Sequence, residues 1–244
     1  MTEFRTFTER DRAELLVLFR RAGRGSPTES LWGHEESEAA VYLVPYMDLE
    51  PESLFLAFAD GEMVGYLAGC LDSTTFPAES ERMRRAMTGH RLFLRRRPLA
   101  FFLRAARDGM PVMIRRQPTA GEFVDPRWPA HLHINVAPRA RGTGAAAELM
   151  NRWLQRVAES GASGCHLQTL VENTRAVRFF ASMGFVKYGP VPQVPGIRYR
   201  GRRVHQQTMV WPAPGSEKTV RGPGPWRRHP GRAAPGQPGG NGQR

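Results

Sequence analysis

The chain has 244 residues, 41% of them hydrophobic, with a formal charge of +12 and a pI near 11.0. That length suits one ordinary domain with appendages, and no apolar run approaches the roughly 20 residues of a membrane span. Lysine occurs only at Lys187 and Lys218, so the positive charge is almost all arginine. Such a habit of composition argues against reading the charge as a nucleic-acid interface.

Met1 to Arg12 is polar and charged, unlike a secretory leader. Inside it, Glu3 to Phe7 predicts a short strand. Arg10 to Ala22 has helical spacing, with Ala13, Leu15, Leu16, Leu18 and Phe19 apolar and Thr8 as cap. His34 to Met47 predicts a second helix, which Pro45 ends or kinks. Ser53 to Ala59 and Glu62 to Leu71 predict strands joined by Asp60-Gly61, the strongest hairpin signal in the chain. Cys70 and Cys165, both in apolar segments, read as buried, reduced thiols of a cytoplasmic protein. No Cys/His spacing resembles a metal site.

Asp72 to Pro129 reads as a helical insertion, with helices around Pro77 to Met87 and Leu92 to Ala106 and many arginines. His131 to Val136 alternates as a strand does. Gly144 to Ser160 predicts a helix with Leu149, Trp153, Leu154 and Val157 on one face. Gly164 to Leu170 predicts a strand, Asn173 to Met183 a helix, and Phe185 to Val191 and Val204 to Trp211 two further strands. From Pro212 to Arg244, Pro, Gly and Arg dominate. Such a segment cannot bury enough surface to offset its ordering entropy, and it reads as a disordered basic tail.

A strand, a glycine-rich turn and a helix together make a phosphate cradle of backbone N–H groups at a helix start. Here the turn is Arg141-Gly142-Thr143-Gly144-Ala145-Ala146. It lacks the Gly-Lys-Ser/Thr of a Walker A loop. Gly142 to Ala147 formally fits the dinucleotide pattern, but Ala162 to Gln168 lacks the acid that fold places after its next strand.

The segment Val136-Ala137-Pro138-Arg139-Ala140-Arg141-Gly142-Thr143-Gly144-Ala145-Ala146 resembles the signature of the GCN5-related N-acetyltransferases (GNAT). Arg141, Gly144 and Ala146 take its fixed positions. A second mark of that family follows, Asn173-Thr174-Arg175-Ala176 and then Gly184-Phe185. The resemblance covers about residues 1 to 211, outside the insertion. Within the family, His131-Leu132-His133-Ile134, Tyr42-Leu43-Val44-Pro45-Tyr46 and the insertion resemble the acetyltransferase-like domain at the C-terminus of O-GlcNAcase and its free-standing bacterial relatives.

The resemblance implies an α/β (α+β) GNAT fold, a mixed and mostly antiparallel sheet of six or seven strands with helices on both faces. Residues 1 to 211 would form the domain and 212 to 244 the tail. Acetyl-CoA would be the cofactor and an unidentified primary amine the acceptor, with no metal. Ile134, Asn135 and Val136 would pair with the pantetheine arm. Arg141, Gly142, Thr143, Gly144, Ala145 and Ala146 would hold the pyrophosphate. Asn173 and Ala176 would shape the pantetheine end, and Phe179 and Phe180 the thioester end.

An amine with a pKa of about 10.4 must lose a proton before it attacks. The candidates for that task are His131, His133, His166 and Asp72. Phe180 stands where the family usually carries a tyrosine that protonates the departing thiolate. Three readings therefore stay open: an N-acetyltransferase, an acyl-CoA-binding module that has lost catalysis, and a basic nucleic-acid adaptor. A second copy of the chain is a further candidate partner; a membrane is not.

Overall fold

The computed structural model describes residues 2–22 and 31–215. Eight strands form one sheet: β1 (Thr2–Thr6), β2 (Leu54–Ala59), β3 (Glu62–Cys70), β4 (Ala130–Val136), β5 (Gly164–Leu170), β6 (Val186–Tyr188), β7 (Gln193–Tyr199) and β8 (Arg202–Pro212). The order is β1-β2-β3-β4-β5-β8-β6, and β7 shares the outer edge of β8 with β6. Every pairing is antiparallel except β4 with β5.

The helices are α1 (Arg12–Ala22), α2 (Glu35–Tyr42), α3 (Val44–Leu49), α4 (Glu79–Gly89), α5 (Arg96–Ile114), α6 (Ala145–Glu159) and α7 (Thr174–Ser182). The segment read as a single helix from His34 to Met47 breaks at Leu43, whose φ of −135° leaves the helical range, and Pro45 restarts it in the first turn of α3. Both helices of the insertion lie between β3 and β4 as expected.

Strand alternation sends apolar residues to two cores. On one face Leu67, Leu132 and Leu167 meet Leu149, Trp153 and Val157 of α6, with Phe180 of α7. On the other, Leu56, Tyr66 and Ala68 meet Leu15 and Leu18 of α1 and Tyr46 and Met47 of α3. The Asp60-Gly61 turn has positive φ at both residues (51° and 79°), the conformation a two-residue hairpin needs.

Two expectations change. The sheet has an eighth strand, β7, which pairs with β8 across a second turn of the same kind at Arg200-Gly201. Pro195-Gly196 interrupts its apolar alternation, so no strand pattern is legible there. The body also runs further: β8 includes Pro212, and the Ala213 N–H donates to the Ser163 carbonyl at 3.0 Å. Those residues belong to the sheet; the rest of the expected tail, from 216, lies outside the described residues.

α6 crosses β3 so closely that a Cβ on Gly69 would lie 2.3 Å from the Trp153 ring. Gly69→Ala must push aside a fully buried ring. It is expected to cost about 1–3 kcal/mol, measured as a lowered urea midpoint with an unchanged slope.

Candidate active site

The parallel pair β4–β5 is joined at only two positions, Ala130 with Cys165 and His131 with His166. Each strand continues along its other neighbour, β4 with β3 to Val136 and β5 with β8 to Leu170. The two strands therefore part toward their C-terminal ends. The Ala137 N–H donates to Val64 on the β3 side at 2.8 Å. By alternation, the main-chain groups of Leu132, Ile134 and Val136 face the gap instead.

Because β4 and β5 are parallel, both open ends lead to helix starts on the same side. After β4 comes the turn at Arg141 to Gly144, with φ of 83° at Gly142 and 88° at Gly144. A Cβ at either glycine would meet no atom within 4 Å, so the backbone faces open space. The Thr143 hydroxyl donates to the Ala140 carbonyl at 2.8 Å and accepts from Ala145 N at 3.4 Å, which holds the turn. The first intrahelical acceptor of α6 is Gly144, bonded by Glu148 N. The N–H groups of Ala146 and Ala147 therefore point out of the helix start without an intrahelical partner.

After β5, Asn173 caps α7 by accepting from Ala176 N at 3.3 Å. Arg141 and Arg175 are close enough across this opening for their repulsion, after burial, to lower the Arg141 pKa. A partly open edge of main-chain donors and acceptors, two helix starts and two nearby cations fit a long ligand with an anionic end.

Asn135 lies on the other face. Its side-chain amide donates to the Tyr66 hydroxyl at 2.9 Å, and its backbone belongs to the β3 side. Phe180 is a core residue, 7% exposed and packed against Phe185, with Phe179 half-buried beside it. Asp72 lies outside the cluster of histidines; its carboxylate accepts from the Thr74 N–H and hydroxyl.

At the vertex where the strands part, on the face away from α6, a small cavity of ≈ 40 Å³ is lined by His131, His133 and His166, by Tyr42 and Tyr46, and by Glu79, Arg82 and Glu122. The three histidine candidates are thus brought together, but their partners separate them. The Ser73 hydroxyl donates to the Pro129 carbonyl at 2.6 Å, so its oxygen accepts from His131 Nδ1 at 2.7 Å. That leaves His131 Nε2 to accept from the Tyr46 hydroxyl at 2.8 Å. Burial raises the Tyr46 pKa, which keeps it a donor. Both His131 nitrogens are used, and burial lowers its pKa well below the usual value.

His166 Nδ1 donates to the Trp128 carbonyl at 2.7 Å, fixing its tautomer with Nε2 unprotonated. His133 is held by ring contacts with Tyr42, Tyr46 and His131. Burial lowers both to about 4. Arg82, 7% exposed, donates to the Pro77 and Val41 carbonyls and lies 3.6 Å from Glu122. Glu79 accepts from the Tyr42 hydroxyl at 2.8 Å.

The sequence marked Tyr42 to Tyr46 as a motif without a role. It passed over Ser73, Glu79 and Glu122 and took Arg82 only as one of the insertion's many arginines; the folding of the insertion onto β4 brings all four to the cavity.

Residues 19–185 match the family model of the acetyltransferase (GNAT) family, more than half of the chain. The chain belongs to the GNAT acetyltransferases. Acetyl-CoA is the cosubstrate of this family. Three solved structures share the GNAT fold. SsHAT is 22% identical, with 86% of this chain and 98% of that one covered and a TM-score of 0.52. yncA of Salmonella typhimurium, a putative acetyltransferase solved with acetyl-CoA, is 15% identical, with 87% and 94% covered and a TM-score of 0.53. Naa20 of Chaetomium thermophilum, solved with a bisubstrate analogue, is 17% identical, with 89% and 90% covered and a TM-score of 0.55.

The histidine cluster makes stability pH-dependent. Unfolded histidines titrate near 6.5, whereas His133 and His166 do so at about 4 when folded. Between those values the unfolded chain binds more protons, so stability present above about pH 6.5 is lost as pH falls toward 4. Melting scans at about pH 7.5 and about pH 5 should show a lower Tm at the acid value. His166→Gln should narrow that difference; an equal difference in the variant would assign the loss to other groups.

Proposed function

We propose that this GNAT protein is an N-acetyltransferase that carries an acetyl group from acetyl-CoA to a primary amine entering at the histidine cavity. The observation that carries this reading is the parting of β4 from β5, with a glycine turn at its mouth and titratable groups at its vertex. Bound acetyl-CoA supplies an activated acetyl group; the chain's residues hold and position it. The main chain of Leu132, Ile134 and Val136 pairs with the pantetheine arm. The N–H groups from Gly142 to Ala147 receive the pyrophosphate, with Arg141 beside it. A β4 N–H facing the gap donates to the thioester carbonyl, where negative charge develops.

His133 takes the proton from the incoming amine. It is half-buried, lines the cavity, and is neutral at physiological pH. His131, with both nitrogens engaged, holds Tyr46 in place rather than acting as base. The fixed Nε2 of His166 can relay a proton within the cavity. Glu79 and Glu122 against the one guanidinium of Arg82 give the cavity a carboxylate excess, which favours a cationic amine over an acidic acceptor. Phe180 offers no proton to the thiolate. A thiol of pKa about 8.5 leaves without one at a reduced rate. The catalytic unit on this reading is the body to about Ala213, with the remainder an appendage.

Calorimetric titration of acetyl-CoA tests the cofactor site. Wild type should bind in the micromolar range. Gly144→Glu, which places a carboxylate in the open cradle, should weaken binding at least ~100-fold. Wild type that does not bind at millimolar acetyl-CoA would overturn the reading.

Turnover with a panel of primary amines tests the chemistry. His133→Gln should lower kcat about 10²- to 10⁴-fold while leaving acetyl-CoA affinity unchanged. Acetyl-CoA binding without turnover of any amine would instead make the chain an acyl-CoA-binding module.

A further inference from the structure

α5 divides along its length into three sectors at 3.6 residues per turn. The inner sector is seated on the body. Phe101 and Phe102 lie against Trp32, and Phe101 and Ala105 crowd Gly196 of β7. Buried Asp108 accepts from Gly196 N at 3.0 Å and pairs with Arg198. The helix is therefore fixed in rotation.

That fixed rotation turns Leu99, Leu103, Met110, Met113 and Ile114 outward as one stripe, with Leu103 64% and Met113 and Ile114 each 71% exposed. Phe93 and Leu94, just before the helix, extend it; Leu94 is 78% exposed. Of the twelve large hydrophobic residues exposed among the described residues, seven lie between 93 and 114. Chance scatter of surface apolar groups does not produce such a stripe.

The third sector is basic. Arg96 and Arg107 border the stripe and Arg97 and Arg115 follow further round the helix; all four are exposed, and none of them has an ion pair among the described residues. From Arg91 to Arg116 the only acid is Asp108, already buried and paired.

We propose that the outer face of α5 is a docking surface for an anionic phospholipid bilayer, on which the helix lies flat. An apolar stripe flanked by exposed arginines matches acyl chains below a plane of negative headgroups. No helix among the described residues is long and apolar enough to cross a membrane, and lying on one requires neither property. A second copy of this chain is a poorer occupant, since two such faces would set arginine against arginine with no acid between them. Nucleic acid would use the arginines but leave the apolar stripe in water.

Sedimentation of the full chain with vesicles tests the proposal. Phosphatidylcholine vesicles with about one-third phosphatidylserine should bind it, pure phosphatidylcholine vesicles should bind it at least ~10-fold more weakly, and added salt should weaken binding. The deciding variant is Leu103→Gln with Met113→Gln and Ile114→Gln. It alters only exposed side chains and keeps every charge, including those of the basic C-terminal segment. It should lose at least ~10-fold in vesicle affinity while its acetyl-CoA binding and Tm stay at wild-type values. Vesicle binding equal to wild type in the variant would assign the attraction to charge alone and overturn the proposal. So would wild type that does not bind the anionic vesicles. A lipid-free dimer that this variant converts to monomer would show that a second copy covers the stripe, and would also overturn it.

Discussion

The rest of the structure depends on a pair of neighbouring parallel strands that hold each other at one end only. β4 and β5 are bonded at Ala130/Cys165 and His131/His166 and nowhere beyond. Unbonded main-chain polar groups are costly when buried, so the gap must stay wet or take a ligand that replaces the missing strand pairing. Parallel direction then places both following helix starts at the open end, and the glycine turn fills the mouth of the opening. The vertex, where the last strand pair is a pair of histidines, becomes the natural end of any arm laid in the gap.

Around that vertex, hydrogen-bond direction separates the histidines. A serine hydroxyl has one proton, and Ser73 gives it to Pro129. That fixes the direction of every bond up the line through His131 to Tyr46. The line ties α3, β4 and the segments flanking the insertion into one buried unit. A histidine so engaged cannot gain a proton without breaking a bond, whereas His133, two residues along the same face, is not committed in this way.

How far the sequence reveals this depends on how local each interaction is. The glycine turn was legible because its geometry resides in six consecutive residues, with positive φ and open space at Gly142 and Gly144. The Asp60-Gly61 hairpin was legible for the same reason, whereas Arg200-Gly201 makes an equivalent turn with a residue that carries no turn signal. The histidines were legible as candidates, but their ranking was not. His131 takes its partners from Tyr46 and Ser73, 85 and 58 residues away. Glu79, Arg82 and Glu122 come from an insertion whose docking on the sheet no spacing rule predicts. The arginines of that insertion looked alike in sequence; the structure sends Arg82 inward and leaves Arg96, Arg97 and Arg107 at the surface.

The sheet is, mechanically, two leaves on a short hinge. One leaf is β1 to β4 and the other is β5 with β6, β7 and β8, and two residue pairs plus the helices beneath join them. A molecule that bonds to both leaves acts as a clasp, and the work of closing the clasp appears as binding free energy. Occupancy and resistance to unfolding are then the same quantity seen from two sides. In a cell where the cosubstrate pool rises and falls, such a protein would carry a record of that pool in its own lifetime.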